Sequence, residues 1–327
     1  MDGILTTFDV VQIVGCISGV IIMLTALVSR SLRRLPTWYL VLCSSTAYSL
    51  SMSLLAIARR QTGPEPDYTL CLVQGALIYS CPIWLLSTGL AFALQFHLTM
   101  VHFAKQYTGF IRRDSKWIPL STVILFIALT AIFLTIGIVE PDIVERSQDH
   151  FYCHFTNRIG SYSVTGFSIV FALAAVFCEF KSASLLYQHW RQRNEFHHQS
   201  DGQVATSVMI RLAGFSLLSV LSVATCVVYV LPLTSSQIQG FIVFNAFLSN
   251  LAGPFVFGLN MSIVRAWMFW KKPTDIYKIA VEVKVEQNNS RKRSSSCATC
   301  FFSSTGTLRS STLLSSEALL VYLLMKT

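Results

Sequence analysis

The chain has 327 residues, of which 53% are hydrophobic and 13% are charged. Soluble domains average roughly 45–50% apolar and 25% charged residues, so this composition excludes an ordinary water-soluble domain and predicts a membrane protein. The formal net charge of +9 indicates attraction to anionic membrane lipid, and we do not take it as a sign of nucleic-acid binding.

Seven apolar stretches follow one another along the chain with short polar connectors between them. Each is about as long as the roughly 20 residues that a helix needs to cross a bilayer. Because lipid offers no partners for backbone N–H and C=O groups, such spans must be helical. The predicted spans are Val10 to Ser29, Thr37 to Ala58, Leu72 to Val101, Trp117 to Val139, Tyr162 to Leu186, Leu212 to Leu233 and Phe241 to Val264. The predicted fold is an all-α bundle of seven transmembrane helices over residues 10–264.

The basic residues predict the orientation of this bundle, because Lys and Arg are enriched on the cytoplasmic side of membrane proteins. Of the 25 basic residues, 21 fall on one side of the seven predicted spans, and the four on the other side are Arg59, Arg60, Arg146 and Arg158. This distribution places residues 1–9 outside the cell as a short extracellular N-terminus and the C-terminal tail in the cytosol. We therefore expect a multi-pass protein of the plasma membrane.

Two of the nine cysteines lie on the predicted extracellular side: Cys71 at the start of helix three and Cys153 in the loop after helix four. Two thiols in an oxidising compartment suggest one disulfide. Such a bond would hold the loop over the mouth of the bundle. The alternative is a pair of unrelated free cysteines.

Seven helices, an outside N-terminus and a cysteine opening helix three paired with one in the second outer loop together resemble a G-protein-coupled receptor. The resemblance covers Val10 to about Pro273. One segment is similar to the third helix of cAMP-receptor-like and related fungal receptors, and the residues that carry this likeness are Cys71, Gln74, Gly75, Trp84 and Phe96. The resemblance implies a receptor whose partners are an extracellular ligand and the α subunit of a heterotrimeric G protein.

The sequence departs from the rhodopsin-like receptors in three motifs. Helix two contains no carboxylate, and helix three closes through residues 95–98, Gln-Phe-His-Leu, without an acidic-Arg-aromatic triplet. Helix seven has Asn250, Gly253 and Pro254 in place of a compact Asn-Pro motif. No motif of the a-factor-type pheromone receptors is present, so the expected switch differs from the rhodopsin-like one.

Polar side chains inside spans usually face the bundle interior, and two groups of them are candidates for a ligand pocket. We predict pocket residues on helices three and seven: Gln74, Tyr79, Trp84, Asn245 and Ser249. Because proline removes a backbone donor and kinks a helix, we predict switch positions at Pro82, Asn250, Gly253 and Pro254. The alternative is that these groups only form hydrogen bonds between helices.

The cytosolic side carries apolar residues ringed by positive charge, a surface suited to a Gα subunit. The predicted contacts are His97, Phe110, Ile111, Arg112, Arg113, Arg191, Arg193 and Arg211. The alternative is that the basic residues are ordinary solvated flanks of a membrane protein. Insertion of Phe110 or Ile111 into Gα is the sharpest form of this hypothesis.

The C-terminal part is predicted to contain a short interfacial helix at residues 265–273, rich in Trp and Lys, and a disordered tail at residues 274–327. Basic residues precede Ser294, Ser295 and Ser296, which suits phosphorylation. Acylation is the corresponding hypothesis for Cys297 and Cys300. The alternative is an unmodified flexible tail.

Enzyme chemistry is not predicted. The last span contains no lysine for a retinal Schiff base, and the spans contain neither facing histidines for haem nor clustered metal ligands. We therefore expect no cofactor and no metal. The alternative function is a small seven-helix transporter or lipid translocator, although the internal repeats common in transporters are not recognisable in this sequence.

Overall fold

The computed structural model describes residues 2–28, 35–105, 115–147, 151–157 and 159–194, together with residues 220, 221 and 224. Within these segments the protein is mostly helical. The helices are α1 (Asp2–Val28), α2 (Pro36–Ile57), α3 (Tyr68–Lys105), α4 (Trp117–Val139) and α5 (Ile159–Asn194). A short 3-10 turn at Pro141–Ile143 and an antiparallel pair of strands, β1 (Val144–Arg146) and β2 (Cys153–Phe155), lie between α4 and α5.

All five helices in the described part of the chain are long and apolar enough to cross a membrane, which confirms the prediction of helices for the first five spans. Helix α4 has the predicted bounds, and α2 begins and ends one residue before them. Three residues of the predicted sixth span, Val220, Leu221 and Ala224, are helical. The rest of that span, the seventh span, the interfacial helix at 265–273 and the tail at 274–327 lie outside the described residues.

Helix α1 differs from the prediction because it begins at Asp2 instead of Val10. Residues assigned to a separate N-terminus therefore continue the helix. The physical reason is tertiary: the Phe8 side chain is 1% exposed and packs against the ring of Phe151, with the two ring centroids 4.8 Å apart. The carboxylate of Asp9 accepts a hydrogen bond from Gln61 Nε2 at 2.7 Å.

Helix α3 lies at the centre of the described bundle, where it packs against α2, α4 and α5, while α1 packs against α2. Along α5 the buried residues recur every three or four positions, as expected for one helix face turned to a neighbour; they are Ser168, Ala172, Ala175, Glu179 and Ser182. The other side of α5 exposes large apolar residues such as Leu173, Phe177 and Phe180. Apart from Glu179, the inner face of α5 consists of small residues, and together with the bulky apolar outer face this suits a lipid-facing position.

Proline occurs at two informative helix positions. Pro36 is the first residue of α2, a place where its missing N–H costs nothing. Pro82 lies inside α3, which continues through it to Lys105. Because Pro82 has no N–H to donate, the carbonyl one turn earlier loses its helical partner there.

Candidate functional site

One end of the bundle is covered by the strand pair β1–β2, which we call the hairpin. A disulfide joins Cys153 in β2 to Cys71 in the first turn of α3, with the two Cα atoms 5.1 Å apart. The predicted bond is therefore present. Both cysteines are buried beside Leu55 of α2, so the hairpin is covalently anchored over the end of the bundle where α2 and α3 meet.

Gln74 reinforces this anchor through both ends of its buried amide. Its Nε2 donates to the carbonyl oxygen of Ser51 in α2 at 3.0 Å, and its Oε1 accepts from the backbone N–H of Cys153 at 3.1 Å. One side chain of α3 thus joins α2 and the hairpin. The predicted pocket residue Gln74 therefore stabilises the attachment of the hairpin to α2 and α3. Its contact with a ligand stays a prediction.

An aromatic layer lies beneath the hairpin. The ring of Tyr79 stacks on Phe155 of β2 with centroids 5.4 Å apart, and it also contacts Phe133 of α4 at 5.5 Å. Tyr79 is buried, and its hydroxyl lies 3.5 Å from the carbonyl oxygen of Phe155. The predicted pocket residue Tyr79 therefore supports the hairpin from below.

The hairpin is also hydrogen-bonded to the loop between α2 and α3. The guanidinium of Arg146 donates to a group of backbone carbonyls of this loop at 3.3–3.5 Å, those of Arg60, Gln61, Gly63 and Pro64. Gly63 has φ of 90°, a conformation that glycine adopts readily. Since Gln61 also bonds Asp9, the hairpin, this loop and α1 form one connected surface.

The solvent-side face of the hairpin carries a pair of ionisable groups. Glu145 and His154 are register partners across the two strands, and Glu145 Oε1 lies 4.0 Å from His154 Nε2. Burial lowers the pKa of the His154 imidazole below its ordinary value of 6.5, and the Glu145 carboxylate partly offsets this effect. The imidazole is therefore neutral at pH 7.

Four hydrogen bonds between two side chains join α3 to the described helices around it, and we call these four the α3 ties. They are Thr130–Ser80 at 3.0 Å to α4, Ser44–Thr88 at 2.9 Å and Thr37–Gln95 at 2.6 Å to α2, and His97–Ser182 at 3.0 Å to α5. From Gln74 to His97, α3 rises about 35 Å at 1.5 Å per residue. This matches the thickness of a bilayer core, roughly 30 Å.

Trp84 lies at mid-length in α3 and is buried, with its indole stacked on Phe126 of α4 at 4.3 Å. Its Nε1 has no hydrogen-bond partner among the residues that the structure describes. Among the described residues the indole N–H of Trp84 is thus unpaired while its ring packs against α4, and the contact of Trp84 with a ligand stays a prediction.

The other predicted site residues fall into two groups. His97 and Pro82 lie in α3, and Arg191 and Arg193 lie in the last turns of α5, although only the backbone of these two arginines is described. The remaining predicted positions lie outside the described residues; they are Phe110, Ile111, Arg112, Arg113, Arg211, Asn245, Ser249, Asn250, Gly253, Pro254, Ser294, Ser295, Ser296, Cys297 and Cys300.

Sequence reasoning missed most of the α3 ties and the part of Arg146 in the hairpin. The available signal was the run of serine and threonine residues in helix two. Serine and threonine in spans commonly bond across helices, but their partners are far away in sequence. Within the described segments, no group of three His, Cys, Asp or Glu side chains could hold a metal ion.

The described fold and site define a helical membrane protein with a disulfide-anchored hairpin at one end of its bundle. Comparison with protein-family models finds no match, and comparison with curated proteins finds none either. Functional assignment therefore depends on the chain's own residues.

Proposed function

We propose that this protein is a seven-helix receptor of the plasma membrane that couples an extracellular ligand to a heterotrimeric G protein. In this proposal the N-terminus and the hairpin face the outside, and the C-terminal tail and the Gα contact surface face the cytosol. The distribution of Lys and Arg supports this orientation. The few charges within the spans favour a neutral or amphipathic ligand, because a buried ion needs a partner.

The observation that carries the proposal is the continuity of α3 from the hairpin to the opposite end of the bundle. Its first two turns are bonded to the hairpin through Cys71 and Gln74. Its last turns are bonded to α2 and α5 through Gln95 and His97. A ligand that displaces the hairpin end would therefore act on a helix that contacts three neighbours at successive depths.

The strength of the α3 ties suits a switch between two states. Side-chain hydrogen bonds between membrane helices average about 0.6 kcal/mol each, so the four ties together are worth about 2–3 kcal/mol. Coupling free energies between distant sites in proteins are typically about 1–3 kcal/mol. A ligand with that much preference for one arrangement would shift the population toward the state that admits Gα.

The test is nucleotide exchange on Gα in vesicles that contain the purified full-length protein. We expect exchange above that of empty vesicles, and we expect a strong loss for the double variant Phe110→Ala with Ile111→Ala. The matched control is Ile127→Ala, a truncation at an exposed position of α4, which should leave exchange unchanged.

The same vesicles also test the alternative function. Solute or lipid flux without any effect on Gα would overturn the receptor proposal in favour of a transporter or lipid translocator. Equal exchange by the wild type and the double variant would remove Phe110 and Ile111 from the contact surface.

A further inference from the structure

Helix α5 carries an exposed apolar stripe that ends beside a lysine. The members of this α5 stripe are 61–68% exposed and lie opposite the buried face of the helix; they are Val170, Leu173, Phe177 and Phe180. Lys181 follows directly and is also exposed. Its Nζ lies 5.5 Å from the centroid of the Phe177 ring. The ammonium group is therefore on the outer wall of α5, beside the stripe.

Lys181 has no acidic partner among the residues that the structure describes. The one ion pair in the described part of the chain joins Glu145 and His154 in the hairpin. Glu179 is close to Lys181 in sequence, but two residues along a helix differ by about 200° in direction, and Glu179 is buried on the bundle side. A lysine on a lipid-facing wall is costly unless its charge reaches a polar or anionic group.

The depth of Lys181 matches a membrane surface at the end of the bundle opposite the hairpin. From Ile159, the first residue of α5, to Lys181 the helix rises about 33 Å at 1.5 Å per residue. The hydrocarbon core of a bilayer is roughly 30 Å thick, so the ammonium lies at the level of lipid headgroups. Because α5 continues to Asn194, Lys181 lies on the wall of a helix and not at a free helix end.

We propose that Lys181 and the α5 stripe bind an anionic phospholipid of the leaflet at this end of the bundle. The lipid phosphate lies at the Lys181 ammonium, where it supplies the missing negative charge, and an acyl chain lies along the α5 stripe. The charge selects an anionic headgroup, and the stripe selects a lipid over a soluble phosphate compound. The inference goes beyond the proposed function, because it needs neither an extracellular ligand nor Gα.

Lys116 provides a matched comparison on another helix. It is exposed and directly precedes Trp117, the first residue of α4. The last residues of α4 lead into the hairpin, so Lys116 lies at the same end of the bundle as Lys181. Since Lys116 precedes its helix, its side chain can extend toward water. A substitution there removes one positive charge from the same membrane surface without changing the α5 stripe.

The experiment is native mass spectrometry of the full-length protein in detergent, titrated with phosphatidylserine and, separately, with phosphatidylcholine. The wild type should bind its first phosphatidylserine more tightly than its first phosphatidylcholine. Because one lysine at a membrane surface typically contributes about a fivefold preference for anionic lipid, Lys181→Gln should weaken phosphatidylserine binding about fivefold. Its phosphatidylcholine binding should not change. Lys181→Arg keeps the charge and should retain phosphatidylserine binding, and Lys116→Gln should bind it like the wild type.

Three results would overturn the proposal. The first is equal binding of the two lipids by the wild type, and the second is unchanged phosphatidylserine binding in Lys181→Gln. The third is an equal loss in Lys181→Gln and Lys116→Gln, which would assign the effect to total charge. Soluble O-phosphoserine is the competitor that separates a lipid from a free phosphate compound. It should leave phosphatidylserine bound, and displacement at equal concentration would also contradict a lipid site.

Discussion

Gln74 provides the sharpest test of how the hairpin is held, because its buried amide bonds α2 and the hairpin at once. Gln74→Met keeps an unbranched side chain of similar length and removes both bonds. The Ser51 carbonyl lies within α2, where it retains a helical partner. The backbone N–H of Cys153 is left buried without an acceptor.

The expected cost follows from that single orphaned donor. A buried polar group that loses its partner costs about 1–3 kcal/mol, and every 1.4 kcal/mol is tenfold in an equilibrium constant. Opening of the hairpin should therefore become about 5- to 150-fold more frequent in Gln74→Met. The disulfide keeps the strand nearby, so the change should concentrate in the hairpin.

The assay is hydrogen–deuterium exchange of residues 151–157 at pH 7.5, where His154 is neutral. The matched control is Gly75→Ala, one residue away, because an added Cβ would make ordinary contacts with the Phe155 ring at 3.7 Å. Hairpin exchange equal to wild type in Gln74→Met would refute the argument. So would an equal acceleration in Gly75→Ala, since that would assign the effect to any change beneath the hairpin.

Two further predictions concern the contact between α3 and α5. A Cβ at Gly160 would lie 2.7–2.9 Å from atoms of the Tyr79 ring, whereas a Cβ at Gly166 would have nothing within 4 Å. Thermal unfolding in nanodiscs should therefore show that Gly160→Ala destabilises the folded protein by about 1–3 kcal/mol and that Gly166→Ala does not. Ser182→Ala removes one α3 tie of about 0.6 kcal/mol and should change basal Gα nucleotide exchange about threefold. Ser184→Ala should leave this exchange unchanged, because the Ser184 hydroxyl bonds the Phe180 carbonyl of its own helix. Equal behaviour of the two glycine variants, or of the two serine variants, would contradict these predictions.

The sequence predicts the helices because hydropathy is a local property. A stretch of some 20 apolar residues has few alternatives in lipid to forming a helix, so each of the first five spans corresponds to a helix. The disulfide was predictable for a similar reason, since two cysteines remained on one side once the spans were placed. The helix ends were less predictable, as α1 illustrates: it continues to Asp2 because Phe8 packs against Phe151.

The candidate site depended much more on tertiary structure. Gln74 and Cys153 are 79 residues apart, and His97 and Ser182 are 85 apart. Polar residues in a span predict that they have hydrogen-bond partners on other elements. Hydropathy, however, contains no information about which face of one helix packs against which face of another. Gln74 and Tyr79 were therefore recognised as polar residues inside a span, but their partners in the hairpin could not be named. Their predicted place in a ligand pocket and the predicted contact of His97 with Gα stay predictions, and the bond from His97 to α5 was not foreseen.

The sequence by itself determined that this chain forms membrane-crossing helices and that Cys71 and Cys153 are available to each other. Only the tertiary structure decided that β1 and β2 form a hairpin seated on α3, and that Glu145 stands across from His154. The physical reason is that transfer of apolar side chains into lipid depends on composition along the chain. A hydrogen bond or ion pair instead requires two groups within a few ångströms, and the packing of helices far apart in sequence sets that distance.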